Sequence, residues 1–332
     1  MKVVDMHCDT IAEIYKDHRR GGCMSVRKNQ LMVDLEKMAA GDYGLQNFAL
    51  YTDLEEAKGR PFEYCMELLD TFYTEMEAHE DLIGIVRSYG DIERNWTQGK
   101  MSALLTVEEG GVCQGSLGFL RDLYRLGVRM MTLTWNYPNE LACPNLKVTG
   151  EDGNTAMAPD TEHGLTDKGI EFVREMERLG LIIDISHLGD AGIWDVFRYT
   201  KKPFVASHSN ARALASHPRN LTDEMIRALA KRGGVMGINY CARFLRDFEP
   251  GQREASRVAY MVEHMKHIRK TGVIGCMGLG SDFDGIGGEL EMGDAVRLSM
   301  LADVMEKEGF TPSEIEAVFY KNVLRVYKEV LS

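Results

Sequence analysis

The chain has 332 residues, of which 44% are hydrophobic and 27% are charged, which is an ordinary balance for a globular protein. Its net charge of -12 argues against a nucleic-acid partner or an anionic-membrane partner, because both of these bind basic surfaces. The pattern of a secretory signal, a long apolar run and paired cysteine motifs are all missing, so we expect a cytoplasmic protein with reduced thiols.

Apolar, β-branched runs alternate with amphipathic helical patterns along the whole chain. The runs predicted to be strands are 3–7, 45–51, 103–108, 128–134, 181–187, 203–208, 234–240 and 276–282. The patterns predicted to be helices are 63–78, 117–126, 166–179, 191–199, 222–231, 256–270, 295–308 and 313–331.

This alternation predicts a parallel sheet with right-handed crossovers. Eight strands in a chain of this length favour an α/β fold of the (β/α)8 TIM-barrel type, as one domain over 1–332, above a doubly wound sheet. No glycine-rich dinucleotide fingerprint follows a strand. We expect the irregular segment 137–160 to form a long loop over the barrel mouth after strand four, and 313–331 to be an extra C-terminal helix.

Polar side chains stand where the predicted strands end. The first strand ends in His7-Cys8-Asp9, and His7 and Asp9 can converge on one metal ion because alternate residues of a strand point to one side. The later strands end in Glu108-Glu109, His187, His208 and Asp282. In a barrel these ends meet at one rim, where the chemistry of such folds takes place. Histidines and carboxylates gathered there suit two metal ions, which can share and acidify one water molecule.

A lone histidine at a strand end is more often a hydrogen-bonded structural residue than a ligand. Three histidines at the same rim reverse that preference. The other histidines lack this placement, and we expect His264 and His267 to lie on a solvated helix face. His163 lies in the segment after strand four and is placed to swing over the mouth.

Taken together and in order, the motifs resemble those of the membrane (renal) dipeptidase family, zinc peptidases of the amidohydrolase-like barrel type. The matching motifs are Asp5-x-His7-x-Asp9, Glu108-Glu109-Gly110-Gly111, Ile185-Ser186-His187, Ser207-His208-Ser209 and Gly280-x-Asp282-Phe283-Asp284-Gly285. They span nearly the whole chain. The resemblance implies a zinc-dependent dipeptidase that hydrolyses short peptides, L,D-dipeptides included, through a hydroxide that bridges two metal ions.

The resemblance also implies which residues hold the metals. Each of the two zinc ions per chain has its own pair of ligands: His7 with Asp9, and His187 with His208. A glutamate after strand three bridges the ions. Glu108 fits the family pattern without a gap, and Glu109 is the competing residue.

The same resemblance assigns the catalytic and substrate-binding residues. Asp282 handles protons, and the bridging Glu108 completes the catalytic centre. Arg219 holds the free carboxylate of the substrate, a task that suits the fork of a guanidinium group. Tyr240 matches a tyrosine that contacts the substrate.

One position departs from the family pattern. The better-known animal members have a histidine after Leu-Thr at the end of strand four, where this chain has Trp135. Tryptophan neither accepts a proton nor carries a charge. Either Asn136, Tyr137 or His163 takes over this contact with the substrate, or the pocket around Trp135 differs.

Two competing interpretations remain. One is a hydrolase of another small amide or ester, such as an N-acyl amino acid, a lactam or a lactone, on the same metal centre. The other is a barrel that keeps its metal but has lost catalysis, which the Trp135 departure keeps open. A small peptide is the expected partner, nucleic acid and membrane are not, and a homodimer remains open.

Overall fold

The computed structural model describes residues 1–149, 155–249 and 251–331. The strands are β1 (Val3–Cys8), β2 (Tyr43–Tyr51), β3 (Ile83–Val86), β4 (Met101–Glu108), β5 (Met130–Thr132), β6 (Leu146–Thr149), β7 (Thr155–Ala158), β8 (Ile182–Asp184), β9 (Val205–Ala206), β10 (Val235–Ile238), β11 (Ala255–Ser256), β12 (Met277–Leu279) and β13 (Glu289–Leu290). The helices are α1 (Thr10–Arg19), α2 (Leu35–Ala40), α3 (Pro61–Glu77), α4 (Tyr89–Thr97), α5 (Leu117–Arg125), α6 (Asp167–Leu179), α7 (Asp190–Tyr199), α8 (Asp223–Arg232), α9 (Ala242–Leu245), α10 (Val258–Thr271), α11 (Ser299–Lys307), α12 (Pro312–Glu316) and α13 (Asn322–Val330).

Eight of these strands pair in parallel and close into a ring, in the order β1, β2, β4, β5, β8, β9, β10 and β12. The predicted (β/α)8 barrel is therefore confirmed. Glu108 on β4 pairs with Thr132 on β5, and Thr132 pairs with Asp184 on β8. This register brings the carboxyl ends of neighbouring strands level, so that their polar side chains meet at one rim.

The other end of the barrel is closed by α13. Apolar side chains from the strands fill the barrel interior, and Val326 and Val330 of the helix pack against them. The hydroxyl of Tyr327 accepts a hydrogen bond of 2.7 Å from Nδ2 of Asn47, which lies inside the barrel. The predicted extra C-terminal helix thus forms the floor of the barrel, although a π-helical turn at Ala317–Lys321 divides it from α12.

Capping residues set the ends of the helices that connect the strands. The side chains of Thr166 and Thr222 accept hydrogen bonds from backbone amides in the first turns of α6 and α8. Gly180 and Gly233 end these helices with φ angles of +76° and +78°, which favour glycine. Two residues therefore separate each of these helices from the next strand of the barrel.

The segment after β5 differs from the prediction. We expected 137–160 to be an irregular loop, but β6 and β7 form an antiparallel hairpin within it. Residues 150–154 of this predicted loop lie outside the described residues. The hairpin was missed because its residues are mostly exposed and lack a buried apolar face.

A further strand and helix precede β4. The short strand β3 pairs with the first half of β4, on the side where the second half of β4 pairs with β5. β3 was not predicted because it has four residues and contains Gly84, which weakens a strand pattern. Among the helices described, none is long and apolar enough to span a membrane.

Candidate active site

The end of β1 brings His7 and Asp9 together, with 3.3 Å between Nε2 of His7 and Oδ2 of Asp9. The pairing of β1 with β2 shifts register between Asp5 and Cys8, so the chain departs from regular strand geometry here. Oδ1 of Asp5 accepts hydrogen bonds from the backbone amides of Ser281 (2.9 Å) and His7 (3.3 Å). Asp5 therefore ties the His7 backbone to the segment that follows β12.

Glu108 stands between the two predicted pairs of ligands. Its Oε2 lies 3.4 Å from Nε2 of His7. Its Oε1 lies 3.1 Å from Nε2 of His187 and 3.5 Å from Nε2 of His208. One buried carboxylate thus faces both pairs, which is the arrangement that a bridging ligand requires.

Glu109 has a different environment. Its carboxylate accepts hydrogen bonds from the backbone amides of Gly111 (2.6 Å) and Trp135 (2.9 Å) and from Nδ2 of Asn139 (2.5 Å). Burial raises the pKa of Glu109 to about 7, and these hydrogen bonds oppose the shift. Glu109 anchors the segment after β5, and the structure places only Glu108 of these two neighbours among the histidines.

His187 and His208 present their Nε2 atoms to the same point, 3.0 Å apart. Nδ1 of His187 lies 3.1 Å from Oδ1 of Asn136, and Nδ1 of His208 lies 2.7 Å from Oγ of Ser207. Ser207 in turn donates to Asp184. A proton on each Nδ1 leaves each Nε2 with a free lone pair, which is the tautomer that a metal ligand needs.

These residues fit a divalent metal on their own geometry. Within the described chain, Nδ1 of His7 and Oδ1 of Asp9 have no hydrogen-bond partner although both are buried, and the contacts of Nε2 of His7 with Asp9 and Glu108 lack hydrogen-bond geometry. Buried polar atoms are nearly always paired, so unpaired imidazole and carboxylate atoms that converge here indicate a site for a cation. Imidazole nitrogens and carboxylate oxygens are ligands that zinc accepts.

The charges of the site also favour cations. Burial raises the pKa of Asp9 and of Asp282, the latter to about 7. Burial lowers the pKa of His7, but the carboxylates of Glu108 and Asp9 outweigh it and hold that pKa well above its usual value. The buried carboxylates of Asp9, Glu108 and Asp282 lie close enough to repel one another, and a divalent cation bound among them would remove that repulsion.

Asp282 lies at the edge of this cluster. Its Oδ1 is 3.9 Å from Nε2 of His7, and its Oδ2 accepts a 2.8 Å hydrogen bond from Nδ2 of Asn239. Its backbone has a φ of +62°, a conformation that aspartate tolerates better than most residues. Asn239 thus orients the carboxylate of Asp282, which lines the cavity.

Arg219 is buried behind the histidines. Its Nη2 lies 3.4 Å from the carbonyl oxygen of His208, its Nη1 lies 3.5 Å from Oγ of Ser209, and its guanidinium carbon lies 5.4 Å from the ring centre of Phe244. Its Nε has no partner, and no carboxylate of the described residues forms an ion pair with it. A buried cation without a counter-ion is costly, so Arg219 is well suited to receive an anionic group.

The other predicted substrate residues fall in different places. Trp135 and Asn136 line the cavity above the metal cluster. Tyr240 does not: it is buried, packs edge-on against Phe283 at 5.4 Å, and its hydroxyl has no partner among the residues described. His163 is 63% exposed, pairs with Asp160 and faces a separate surface groove.

The cavity has a volume of about 400 Å³, a size that accommodates a dipeptide. Carboxylates and a histidine line part of it: Asp9, Glu108, His187 and Asp282. Apolar and aromatic side chains also line it: Tyr51, Trp135, Phe244 and Ile286. The cavity therefore combines charged and apolar lining groups.

Two features of the site region were not predicted. The supporting contacts of Asn136, Ser207 and Asn239 depend on tertiary packing and have no sequence motif of their own. The prediction for His264 was wrong: it is fully buried, its Nδ1 accepts from the amide of Ala211, and its Nε2 donates to the carbonyl of Leu245. His264 thus ties α10 to the segments that follow β9 and β10.

Known proteins resemble most of this chain in sequence. A sequence model of the membrane dipeptidase family (peptidase family M19) matches residues 1–332. An uncharacterized protein from the pqqA 5' region of Klebsiella pneumoniae is 34% identical over 244 residues, which are 73% of this chain and 87% of that protein. An uncharacterized dipeptidase of Schizosaccharomyces pombe is 32% identical over 313 residues, which are 89% of this chain and 71% of that protein.

Solved structures share the fold at lower identity. A dipeptidase of family M19, dipeptidase AC, superposes with a TM-score of 0.88 at 23% identity, over 100% of this chain and 99% of that one. A metallo peptidase from Rhodobacter sphaeroides, liganded with a phosphinate mimic of the dipeptide L-Ala-D-Ala, superposes with a TM-score of 0.87 at 22% identity, over 99% of both chains. At these identities the likeness establishes the barrel fold.

Proposed function

Since the chain belongs to the membrane dipeptidase family, peptidase family M19, we propose that it is a zinc-dependent dipeptidase with two metal ions at the rim of its barrel. Family membership makes it a hydrolase with dipeptidase chemistry. The identity of the metal, the number of ions and the substrate are the parts that we propose. The observation that carries them is the Glu108 carboxylate, whose two oxygens face separate groups of buried ligands.

The metals would be held by the residues that converge at the rim. The first site has His7 and Asp9, the second has His187 and His208, and Glu108 is shared between them. When bound, zinc supplies Lewis acidity, which polarises a peptide carbonyl and lowers the pKa of water.

The side chains around the metals perform the remaining tasks. Arg219 receives the free carboxylate of the substrate, which it can pair without losing a counter-ion of its own. Asp282 takes a proton from the attacking water and passes it to the leaving amine, and Asn239 orients its carboxylate for this role. Because Arg219 lies close behind His208, the carboxylate must be near the scissile bond, which restricts substrates to short peptides.

The stereochemistry of the substrate is part of the proposal. The structural relative from Rhodobacter sphaeroides was solved with a mimic of L-Ala-D-Ala. We extend this to the present chain and expect L,D-dipeptides to be hydrolysed alongside L,L-dipeptides. Arg219 can bind the carboxylate of a C-terminal residue of either L or D configuration, provided that the side chain of that residue fits beside Phe244.

N-acyl amino acids are the second candidate substrates. They end in the same free carboxylate as a dipeptide, so Arg219 would hold them equally well. They lack the free amino group of a dipeptide. Comparing each dipeptide with its N-acetylated form therefore decides between the two substrate classes.

The test combines metal analysis with a substrate panel. We expect about two zinc ions per chain and cleavage of L,L- and L,D-dipeptides that is lost on complete chelation and restored by zinc. An Asp282→Asn variant that retains the metal but loses turnover about 10²- to 10⁴-fold would rule out a catalytically inactive barrel. Dipeptide cleavage that survives full metal removal, or cleavage of N-acyl amino acids alone, would contradict the proposal.

A further inference from the structure

We propose that Tyr51 and Trp135 form the subsite for the side chain of the N-terminal residue of the substrate, and that they select apolar and aromatic residues there. This inference rests on the proposed dipeptidase function and names its substrate class. Trp135 stands at the position where the better-known animal members of the family have a histidine.

The two side chains form one continuous aromatic wall. Their ring centres are 5.1 Å apart in an edge-on arrangement, and Tyr137 extends the group behind Trp135 at 5.5 Å. Tyr51 and Trp135 are half-buried and line the cavity, and Trp135 lies 6.3 Å from the ring centre of His187. A substrate atom at the metal cluster is therefore within a side chain's length of this wall.

His187 and His208 lie between the wall and Arg219: the ring centre of Trp135 is 6.3 Å from that of His187, and Nη2 of Arg219 is 3.4 Å from the carbonyl oxygen of His208. Tyr51 ends β2 and Trp135 follows β5, and these strands flank β4, which carries Glu108. Arg219 follows β9, which β8 separates from β5 in the ring. An extended dipeptide spans only about 7 Å. With its carboxylate at Arg219 and its carbonyl beside Glu108, its N-terminal residue reaches the wall.

The Trp135 half of the wall is anchored through its backbone. The backbone amide of Trp135 donates a 2.9 Å hydrogen bond to Oε2 of the buried Glu109, whose other oxygen holds Gly111 and Asn139. A substrate side chain that packs against Trp135 gains affinity from the apolar area removed from water. Because Trp135 is already ordered, little of this gain is lost in ordering the protein.

The charges near the wall are mostly negative, since the carboxylates of Asp53 and Glu56 lie close to Tyr51. Lys16 lies over the ring of Tyr51 at 5.8 Å, but its ammonium group is engaged by Glu13 at 2.8 Å. An acidic side chain would have to break this ion pair and would meet the carboxylates of Asp53 and Glu56. The aromatic faces of Tyr51 and Trp135 themselves offer apolar contact.

The test uses the zinc-loaded full chain and two series of dipeptides, Xaa-Ala and Ala-Xaa, with Phe, Leu, Ser and Glu as Xaa. We expect kcat/KM of the wild-type protein for Phe-Ala and Leu-Ala to exceed that for Ser-Ala and Glu-Ala by about 10- to 200-fold. Trp135→Ala should flatten the Xaa-Ala series and leave the ratios within the Ala-Xaa series unchanged. Trp135→Phe should retain most of the preference, because it keeps an aromatic face.

Trp194→Ala is the matched control, because Trp194 is a 37%-exposed tryptophan on α7 that does not line the cavity. It should leave both series unchanged, and zinc content and melting temperature confirm that each variant is folded and loaded. A wild-type protein that cleaves dipeptides without preference at the first residue, or one that prefers Glu-Ala, overturns the inference but not the dipeptidase function. A zinc-loaded protein that cleaves no dipeptide overturns both.

Discussion

The side-chain oxygen of Asn136 lies 3.1 Å from Nδ1 of His187, 51 positions further along the chain. Such a contact fixes the ring orientation and places the proton on Nδ1, so that Nε2 is free to bind a metal. Asn136 was predicted as a substrate-binding replacement for the family histidine. In the structure Asn136 also contacts His187, a proposed metal ligand, and the effect of this contact on metal binding can be measured.

Replacing Asn136 with alanine should weaken binding of the second metal ion. Loss of a residue that orients a ligand typically lowers metal affinity about 10- to 100-fold. Zinc affinity can be measured by competition with a chromophoric chelator. Asn136→Asp is the matched variant, because a carboxylate also accepts the hydrogen bond from Nδ1 and should retain the affinity. Equal affinities for wild type and Asn136→Ala would show that the contact does not orient His187.

The neighbours Glu108 and Glu109 should respond differently to the same substitution. Glu108→Gln removes the charge that faces His7, His187 and His208, and we expect it to lower the zinc content below that of the wild type. Glu109→Gln should keep the zinc content, because this carboxylate contacts the segment after β5 instead. It should lower stability by about 1–3 kcal/mol, since an amide nitrogen cannot accept the hydrogen bonds of a carboxylate oxygen. Elemental analysis and thermal melting of both variants measure these effects, and loss of zinc from Glu109→Gln alone would reverse the assignment.

Arg219→Met should impair substrate binding without unfolding the protein. Truncating one partner of a buried charge pair costs at least about 2 kcal/mol, so KM for a dipeptide should rise about 30-fold or more. The melting temperature should not fall, because the substitution removes a buried charge that has no ion-pair partner among the described residues. Dipeptide amides serve as the control: they have no carboxylate and should be processed equally by both proteins. An unchanged KM for the free dipeptide would exclude Arg219 from recognition.

The barrel and the location of its site could be predicted because their signals are local. Each apolar run is followed by a polar residue such as Glu108 or His208, and the fold alone brings such strand ends together. The short strand β3 escaped prediction because its contribution depends on pairing with the first half of β4. Its own four residues are too few to show a clear period.

The side-chain partners could not be predicted, because they depend on distances across the fold. Asn239 meets Asp282 from 43 positions away, and Asp5 binds the amide of Ser281 from 276 positions away. His264 was misplaced for the same reason: its spacing to His267 fits an exposed helix face equally well, and only the packing of α10 shows that it is buried. The choice between Glu108 and Glu109 likewise required the backbone geometry at the end of β4.

Glu175 on α6 should make stability depend on pH in the acid range. It accepts hydrogen bonds from Arg178 (2.7 and 2.8 Å) and from Arg121 on α5 (2.5 Å). The contacts with Arg178, and next those with Arg121, hold its pKa at about 2 against an ordinary value of 4.5. Because the folded-state pKa is the lower one, this contribution is present above about pH 4.5 and disappears as the pH falls towards 2.

We therefore expect Glu175→Gln to lower the free energy of unfolding by about 1 kcal/mol at neutral pH, a modest value because both arginines are partly exposed to solvent. The difference from the wild type should shrink between pH 4.5 and pH 2, and urea unfolding at a series of pH values measures it. Glu171→Gln on the same helix is the control, because Glu171 is 53% exposed and contacts only Lys168 among the described charged groups. A difference that stays constant down to pH 2 would mean that Glu175 acts through packing and not through its charge.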